Sequence, residues 1–369
     1  MITSLLLGIS VSAAQAKPIL LAHYMPWYES KPVSGKWGWH WTMNHFEPEK
    51  GKIASHYTPL IGAYDSNDRH ALEYQALLMK YSGLDGAIID WYGKEDVYDY
   101  ATNHRNTLHF IKYLKKAGLK FAICYEDQTL PNLIKFKKVE EKDAVTHGKQ
   151  LMNWVAKNWF SDKAYVRLKD KPVFLVFGPQ YYKGPQWNEM LKGIDLTIYG
   201  VNGKYDFPTD GYAWPYPKDG NKRMVRFFKE SSHARGFLGA AYPRFHDIYA
   251  EAKVHDSWGS IPDDNGKTFD YTVKLATDAK SPIIQIATWN DWGEGTQIEP
   301  SKEFGYRDLE KLQQLQKSKY QLSDLRLIHR LFELRKKSKP SHVATLDKAA
   351  SFLFAGKNKE AARALNPLP

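Results

Sequence analysis

A single cysteine, Cys124, stands among the 369 residues. An internal disulfide, a thiolate metal cluster and a lipid-anchoring cysteine at a cleavage site are therefore excluded. Long apolar runs are equally scarce, so no membrane span is expected. There is no Walker loop, no dinucleotide fingerprint and no G-x-S-x-G elbow. His40 and His45, or His104 and His109, lie five apart, whereas a zincin helix needs a spacing of four with a Glu between. They read as surface or sugar-contacting histidines, and neither metal nor cofactor is expected. Beyond a βα alternation no repeat is found.

The formal charge of +11 invites a nucleic-acid reading, which its location weakens. From Lys302 to Pro369 there are 15 Lys or Arg against 7 Asp or Glu, which is +8 of the +11. The excess lies in a helical tail away from the motif-rich region, without a zinc-finger or RNP signature, so no nucleic-acid partner is expected. Aromatic residues are plentiful, with 12 Trp and 23 Tyr. Many fall in short polar clusters that suit the apolar C–H faces of sugar rings.

Residues 1–16, "MITSLLLGISVSAAQA", join an apolar run to the small-x-small pattern Ala14-Gln15-Ala16. A signal peptide is expected there, with a mature chain starting at Lys17 in the periplasm or the medium. The alternative is a first buried strand.

Eight short apolar runs read as buried parallel strands: 18–24, 86–92, 119–126, 171–177, 194–200, 211–215, 235–242 and 282–289. Most lead into a polar, aromatic segment and then a helical pattern such as "DRHALEYQALLMKYSG". This is the βα repeat of a (β/α)8 TIM-type barrel, whose active site lies on the loops after the strands. The fifth and sixth runs are too close for a full helix between them. The barrel is therefore expected to be irregular, with an open doubly wound sheet as the alternative. The expected division is a signal peptide over 1–16, a barrel over 17–305 and a helical C-terminal appendage over 306–369. That appendage, with Leu325, Ile328, Leu331 and Phe332 on one helix face and a break at Gly356, reads as a cap.

Acids and aromatics recur where strands end. The first strand ends in Tyr24, and the segment after it carries Trp27, Tyr28, Trp37, Trp39, His40 and Trp41 in a Gly-rich context expected to form a sugar-binding wall or lid. The second strand ends in Asp90-Trp91-Tyr92 and the third in Glu126-Asp127. The seventh ends in Tyr242 with Arg244 and Asp247 beyond, and the eighth runs into Trp289, Asn290, Asp291, Trp292 and Glu294. Any one of these could instead cap a helix, Asp127 and Asp247 above all.

Glycoside cleavage requires two carboxyl groups, one to protonate the leaving oxygen and one to act as base or nucleophile. Asp291 and Glu294 are three apart, which on a helical turn puts them on one face with Cβ atoms about 5 to 6 Å apart. Their mutual repulsion raises one pKa. A dipole-favoured helix N-terminus explains the same spacing; the flanking indoles and Gly293 and Gly295 favour a site, since glycine permits close substrate approach.

The segment "WNDWGEGTQIEP" resembles the carboxylate segment of glycoside hydrolase family 99, endo-α-mannosidases and mannanases with a W/Y-N-E-W-H-E-G-T-x-I-E-P pattern. It is also similar to family 71 α-1,3-glucanases, whose segment reads W-N-D-x-G-E-S. The likeness extends more loosely through "HYMPWY", "GKWGWHW", "GAIIDWYG" and "KPVFLVF". It implies a (β/α)8 barrel acting on α-linked glycans without metal, with Asp291 and Glu294 as the catalytic acids. In family 99 the first acid takes a proton from the sugar's own 2-hydroxyl, giving an anhydro-sugar, and the second protonates the leaving oxygen. Two departures stand out: Asp291 replaces Glu, and Gly293 replaces His. Reaction class therefore transfers better than substrate.

The expected function is a secreted, endo-acting glycoside hydrolase of α-mannan or α-glucan. Substrate contacts are assigned to Tyr24, Trp27, Tyr28, Trp41, Asp90, Trp91, Tyr92, Glu126, Tyr242, Trp289, Asn290 and Trp292, and the partner is an oligo- or polysaccharide. The rivals are a barrel that binds carbohydrate without turnover and a role in surface-polysaccharide synthesis, where a similar W-N-x-W-x-E-G segment occurs.

Overall fold

A computed structural model describes residues 17–201, 211–231, 237–337 and 339–369. The expected signal segment, 1–16, lies outside the described residues. Eight strands close a barrel: β1 (Ile19–Tyr24), β2 (Gly86–Trp91), β3 (Lys120–Tyr125), β4 (Lys171–Val176), β5 (Thr197–Val201), β6 (Gly211–Tyr212), β7 (Leu238–Ala241) and β8 (Ile283–Ile286). Each pairs in parallel with its chain neighbours, and β1 pairs with β8 to complete the ring. All eight expected runs are strands. The open sheet is ruled out by the β1–β8 pairing, which registers Ile19 with Ile283 and Ala22 with Ile286.

Both faces of these strands are covered, one by the lumen and one by helices, and their sequences are accordingly mostly apolar, with His23, Asp90 and Gln285 among the buried exceptions. At Gly86 an added Cβ would lie 2.1 Å from the Lys120 carbonyl oxygen. Only glycine lets β2 approach β3 so closely there.

The outer layer comprises α1 (Arg69–Ser82), α2 (Tyr100–Ala117), α3 (Ala144–Val155), α4 (Gly184–Met190), α5 (Lys222–Ser231), α6 (Lys267–Asp278) and α7 (Arg307–Leu315). The Asp68 carboxylate accepts the His70 N–H to start α1, and Gly83 at φ 88° ends it. Residues 202–210, between β5 and β6, lie outside the described residues.

Beyond residue 305 the chain is helical, as expected of its C-terminal region. α7 fills the eighth helix position, burying Leu309 and Leu312. It is tied to β7's loop by buried Arg244, which donates to the Asp308 carboxylate and to the Gln297 carbonyl at 2.7 Å. The helices beyond it, α8 (Leu322–Lys337), α9 (Val343–Phe354) and α10 (Asn358–Leu365), continue the same hydrophobic core. Leu325, Ile328, Leu331 and Phe332 are buried as the helical spacing requires. Arg335 grips Glu73 of α1 through two bonds of 2.6 and 3.0 Å. Among the described residues no helix is long and apolar enough to cross a membrane.

Candidate active site

Strand parity decides which end-of-strand residues reach the lumen, because successive side chains point to opposite faces. On β1, His23 faces inward, while Tyr24 faces α2, stacks on Phe110 at 3.8 Å and donates its hydroxyl to Gln75. On β2, Asp90 faces inward. Trp91 turns outward among Trp154, Trp159 and His104.

The segment after β8 is pinned from several sides. The Asn290 amide accepts the Met25 N–H at 2.8 Å and donates to the Met25 carbonyl and the Tyr64 hydroxyl. The Tyr28 hydroxyl donates to the Asn290 carbonyl at 2.8 Å and accepts from the Trp292 N–H. Tyr64 in turn donates to Glu299 at 2.8 Å, and Gln75 donates to the same carboxyl at 2.7 Å. Gly295 adopts φ 67°, and a Cβ there would meet the His246 carbonyl at 2.6 Å. Its need for glycine comes from contact with β7's loop, where the expectation was room for substrate.

These anchors present Asp291 and Glu294 to a cavity of about 200 Å³ at the C-terminal mouth of the barrel. Asp90, Glu126, Asp291 and Glu294 line it together with Trp27, Tyr28, Tyr92, Trp214, Tyr249 and Trp258. A second depression of about 860 Å³ continues outward, sharing Trp39, His40, Tyr92, Glu126 and Gln128.

Burial pushes all four carboxyls up, and mutual repulsion adds to it for three. Glu294 is raised well above the usual carboxyl range by desolvation and then by the charges of Asp291, Asp247 and Glu126. Asp90 is raised by desolvation and by Asp291, and Glu126 by desolvation and by Asp90. Asp291 is also raised by desolvation, but it accepts the Glu294 N–H at 3.0 Å and has His40 and His23 near, all favouring its ionised form. Glu294, by contrast, has a buried Oε2 with no hydrogen-bond partner.

Of the residues assigned to substrate or chemistry, the cavity brings together Trp27, Tyr28, Asp90, Tyr92, Glu126, Asp291 and Glu294. The others are corrected. Tyr24 and Trp91 point into the helix layer, as parity dictates. Trp41 is fully buried, donates its indole N–H to the Tyr64 carbonyl at 2.7 Å and packs against Tyr28 and Trp292. Trp289, Asn290 and Trp292 are fully buried beneath the turn that bears the acids. Tyr242, assigned as a substrate contact, is buried with its hydroxyl on Asn221 and does not line the cavity. Asp127 receives the N–H groups of Gln180, Tyr181 and Tyr182, and Asp247 that of Trp258; both hold loops. Sequence reasoning missed His23, whose inward face follows from β1's parity. It also missed Phe177 and Trp214, which lie within the expected runs 171–177 and 211–215 at the strand ends, and Tyr249 and Trp258, which the loop after β7 brings in without a local signal.

No family model matches the chain. It is similar to the glycoprotein endo-alpha-1,2-mannosidases of Mus musculus, 21% identical over 328 residues, and of Rattus norvegicus, 20% identical over 322. The first match covers 76% of this chain and 67% of the relative. In fold it is similar to the GH99 endo-alpha-mannosidase from Bacteroides thetaiotaomicron, with a TM-score of 0.63 at 18% identity, covering 84% of this chain and 98% of that one. A glycoside hydrolase-like protein aligns with a TM-score of 0.55 at 15% identity. Barrel, carboxyl-lined cleft and sequence relatives together define a glycoside hydrolase. Within that class the chain is family 99-like; the family 71 likeness rests on the W-N-D-x-G-E residues alone.

Proposed function

We propose that this protein is an endo-acting glycosidase of α-mannosides in which Glu294 donates a proton to the leaving oxygen and Asp291 is the base. The unlike surroundings of the two acids carry the reading. Burial raises both acids, but the Glu294 N–H bonded to Asp291 opposes the rise there and favours the ionised form, whereas Glu294 lies desolvated beside neighbouring negative charges with its Oε2 unpartnered and keeps its proton. As the glycosidic C–O bond breaks, the Glu294 proton passes to the departing oxygen. Asp291 removes a proton from the nucleophile, either the sugar's 2-hydroxyl or a water. The mannoside rests on what the names of the sequence relatives describe, and endo action on the depression that prolongs the cavity, which gives a chain room on the Trp39 and Tyr92 side.

Incubation with α-mannan and α-glucan oligosaccharides, followed by sizing of the fragments, tests the reading. Internal cleavage of mannans is expected; release of monosaccharides alone would refute endo action, and cleavage of glucans alone would refute the mannoside. Export is a further part of the proposal, resting on residues 1–16; finding the full-length, uncleaved chain only in the cytoplasm of an expressing bacterium would contradict it.

A further inference from the structure

Three donor atoms of different kinds converge beneath the acids, from three strands whose sequences give no metal-binding spacing. His23 and Asp90 line the cavity, Cys124 lies buried beside them, and their ligating atoms are all within 4.8 Å of one another. Asp90 and Cys124 are register partners across β2 and β3, so their inward side chains are neighbours by construction.

Hydrogen bonds orient the lone pairs of this trio toward its centre. Gln285 donates its amide to the Ala213 carbonyl at 2.9 Å, which leaves its oxygen to accept from His23 Nδ1 at 3.1 Å. The proton of neutral His23 is thereby placed on Nδ1, and Nε2 presents a lone pair to Asp90 Oδ1, 4.0 Å away. The Tyr212 hydroxyl donates to the Val176 carbonyl, so the Cys124 thiol, 3.6 Å from Tyr212, directs its proton there and its lone pairs away. Asp90 is 1% exposed, and neither of its oxygens has a hydrogen-bond partner. The His23 and Cys124 lone pairs thus face an Asp90 carboxyl without hydrogen-bond partners, in a cleft whose lining includes four carboxyls and neither Lys nor Arg.

We propose that His23, Asp90 and Cys124 form a site for a thiophilic divalent cation of the zinc class. Imidazole, carboxylate and thiolate make a three-ligand set that suits zinc and leaves a fourth position open to the cavity. Gln285 supplies the outer hydrogen bond that orients the imidazole, and turning the Tyr212 hydroxyl from the Val176 carbonyl to the sulfur would supply one to the thiolate. A closed site needs the donors about 3.3 to 3.6 Å apart. Rotation of the Asp90 carboxyl, which no hydrogen bond restrains, and of the Cys124 side chain supplies the contraction. Binding replaces the thiol S–H bond by a sulfur–metal bond and releases the thiol proton to solvent, together with the proton of the Asp90 carboxyl wherever burial keeps that group protonated. A cation held there occupies Asp90 beside Asp291 and inhibits cleavage; it takes no part in the hydrolysis proposed above.

The test is titration of chelator-treated full-length protein with Co2+, a spectroscopic stand-in for zinc, and then with Zn2+. One equivalent of Co2+ should bind with a sulfur-to-cobalt charge-transfer band in the near ultraviolet, and one equivalent of Zn2+ should displace it. Cys124→Ser should abolish the band, and His23→Gln should weaken binding at least tenfold. X-ray absorption at the zinc edge of the wild type, which needs no variant to fold, should find one sulfur ligand. No stoichiometric binding, or a zinc shell without sulfur, would overturn the proposal. These readouts need no turnover: a protein that binds Co2+ and cleaves nothing would sink the glycosidase reading and leave the cation site standing.

Discussion

Asp291 and Glu294 share one turn, yet Asp291 lies within reach of an N–H donor and two imidazoles while Glu294 Oε2 is unpartnered. A bell-shaped dependence of kcat/KM on pH should result. Its rising limb belongs to Asp291, which must lose its proton, and its falling limb to Glu294, which must keep one and whose pKa is raised. The falling limb should lie well above the ordinary carboxyl range, and Glu294→Gln should remove it on substrates whose leaving group needs no proton. A second buried acid reports on stability. Burial pushes Glu299 up to about 7, against the hydrogen bonds from Gln75 and Tyr64. Between the ordinary value of 4.5 and 7 the unfolded chain is ionised there and the folded chain is protonated, so this contribution is full below 4.5 and is lost as pH rises through 7. It amounts to about 3 kcal/mol. Urea melts of Glu299→Gln should therefore lose less stability than wild type between these pH values; parallel curves would contradict the assignment.

Elements were the most legible level. Apolar runs of strand length marked every barrel strand, most of them with β-branched residues, since a parallel strand covered on both faces is largely apolar. The helical pattern marked α1, α2, α6 and the tail. Within the aromatic segment after β1, Trp27, Tyr28, Trp39 and His40 line the cavity, while Trp41 was misread because polar and glycine neighbours suggest exposure and the folded chain tucks it against Tyr28 and Trp292. Trp289 and Trp292 were misread likewise: nothing local reveals that the turn bearing the acids is supported from below by indoles. Trp41→Ala should cost about 3 to 5 kcal/mol of stability, read by thermal or chemical unfolding. Trp27, stacked on His40 at 4.1 Å and lining the cavity, should behave differently, with Trp27→Ala raising KM roughly three- to tenfold through lost stacking. Equal loss of stability in both variants with unchanged KM in the second would make Trp27 a packing residue too.

For the molecule as a whole, the helical tail packs into the same core as the barrel it was expected to cap. Leu346, Leu353, Ala361 and Leu365 are buried in the common core, and the Lys80 ammonium donates to the Phe354 carbonyl at 2.6 Å. Cutting the chain after Pro340 should lower Tm by more than about 10 °C, given the several apolar side chains exposed. An unchanged Tm would mean that α9 and α10 only decorate the surface. On the proposed function the barrel holds two catalytic acids at its mouth, and one comparison tests that most directly. Glu294→Gln and Asp291→Asn are each assayed on a natural α-mannan oligosaccharide and on an α-mannoside with an acidic leaving group. Glu294→Gln should lose about 100- to 10,000-fold on the oligosaccharide while keeping turnover of the activated mannoside, and Asp291→Asn should lose both. Full turnover by both variants on both substrates would contradict the account.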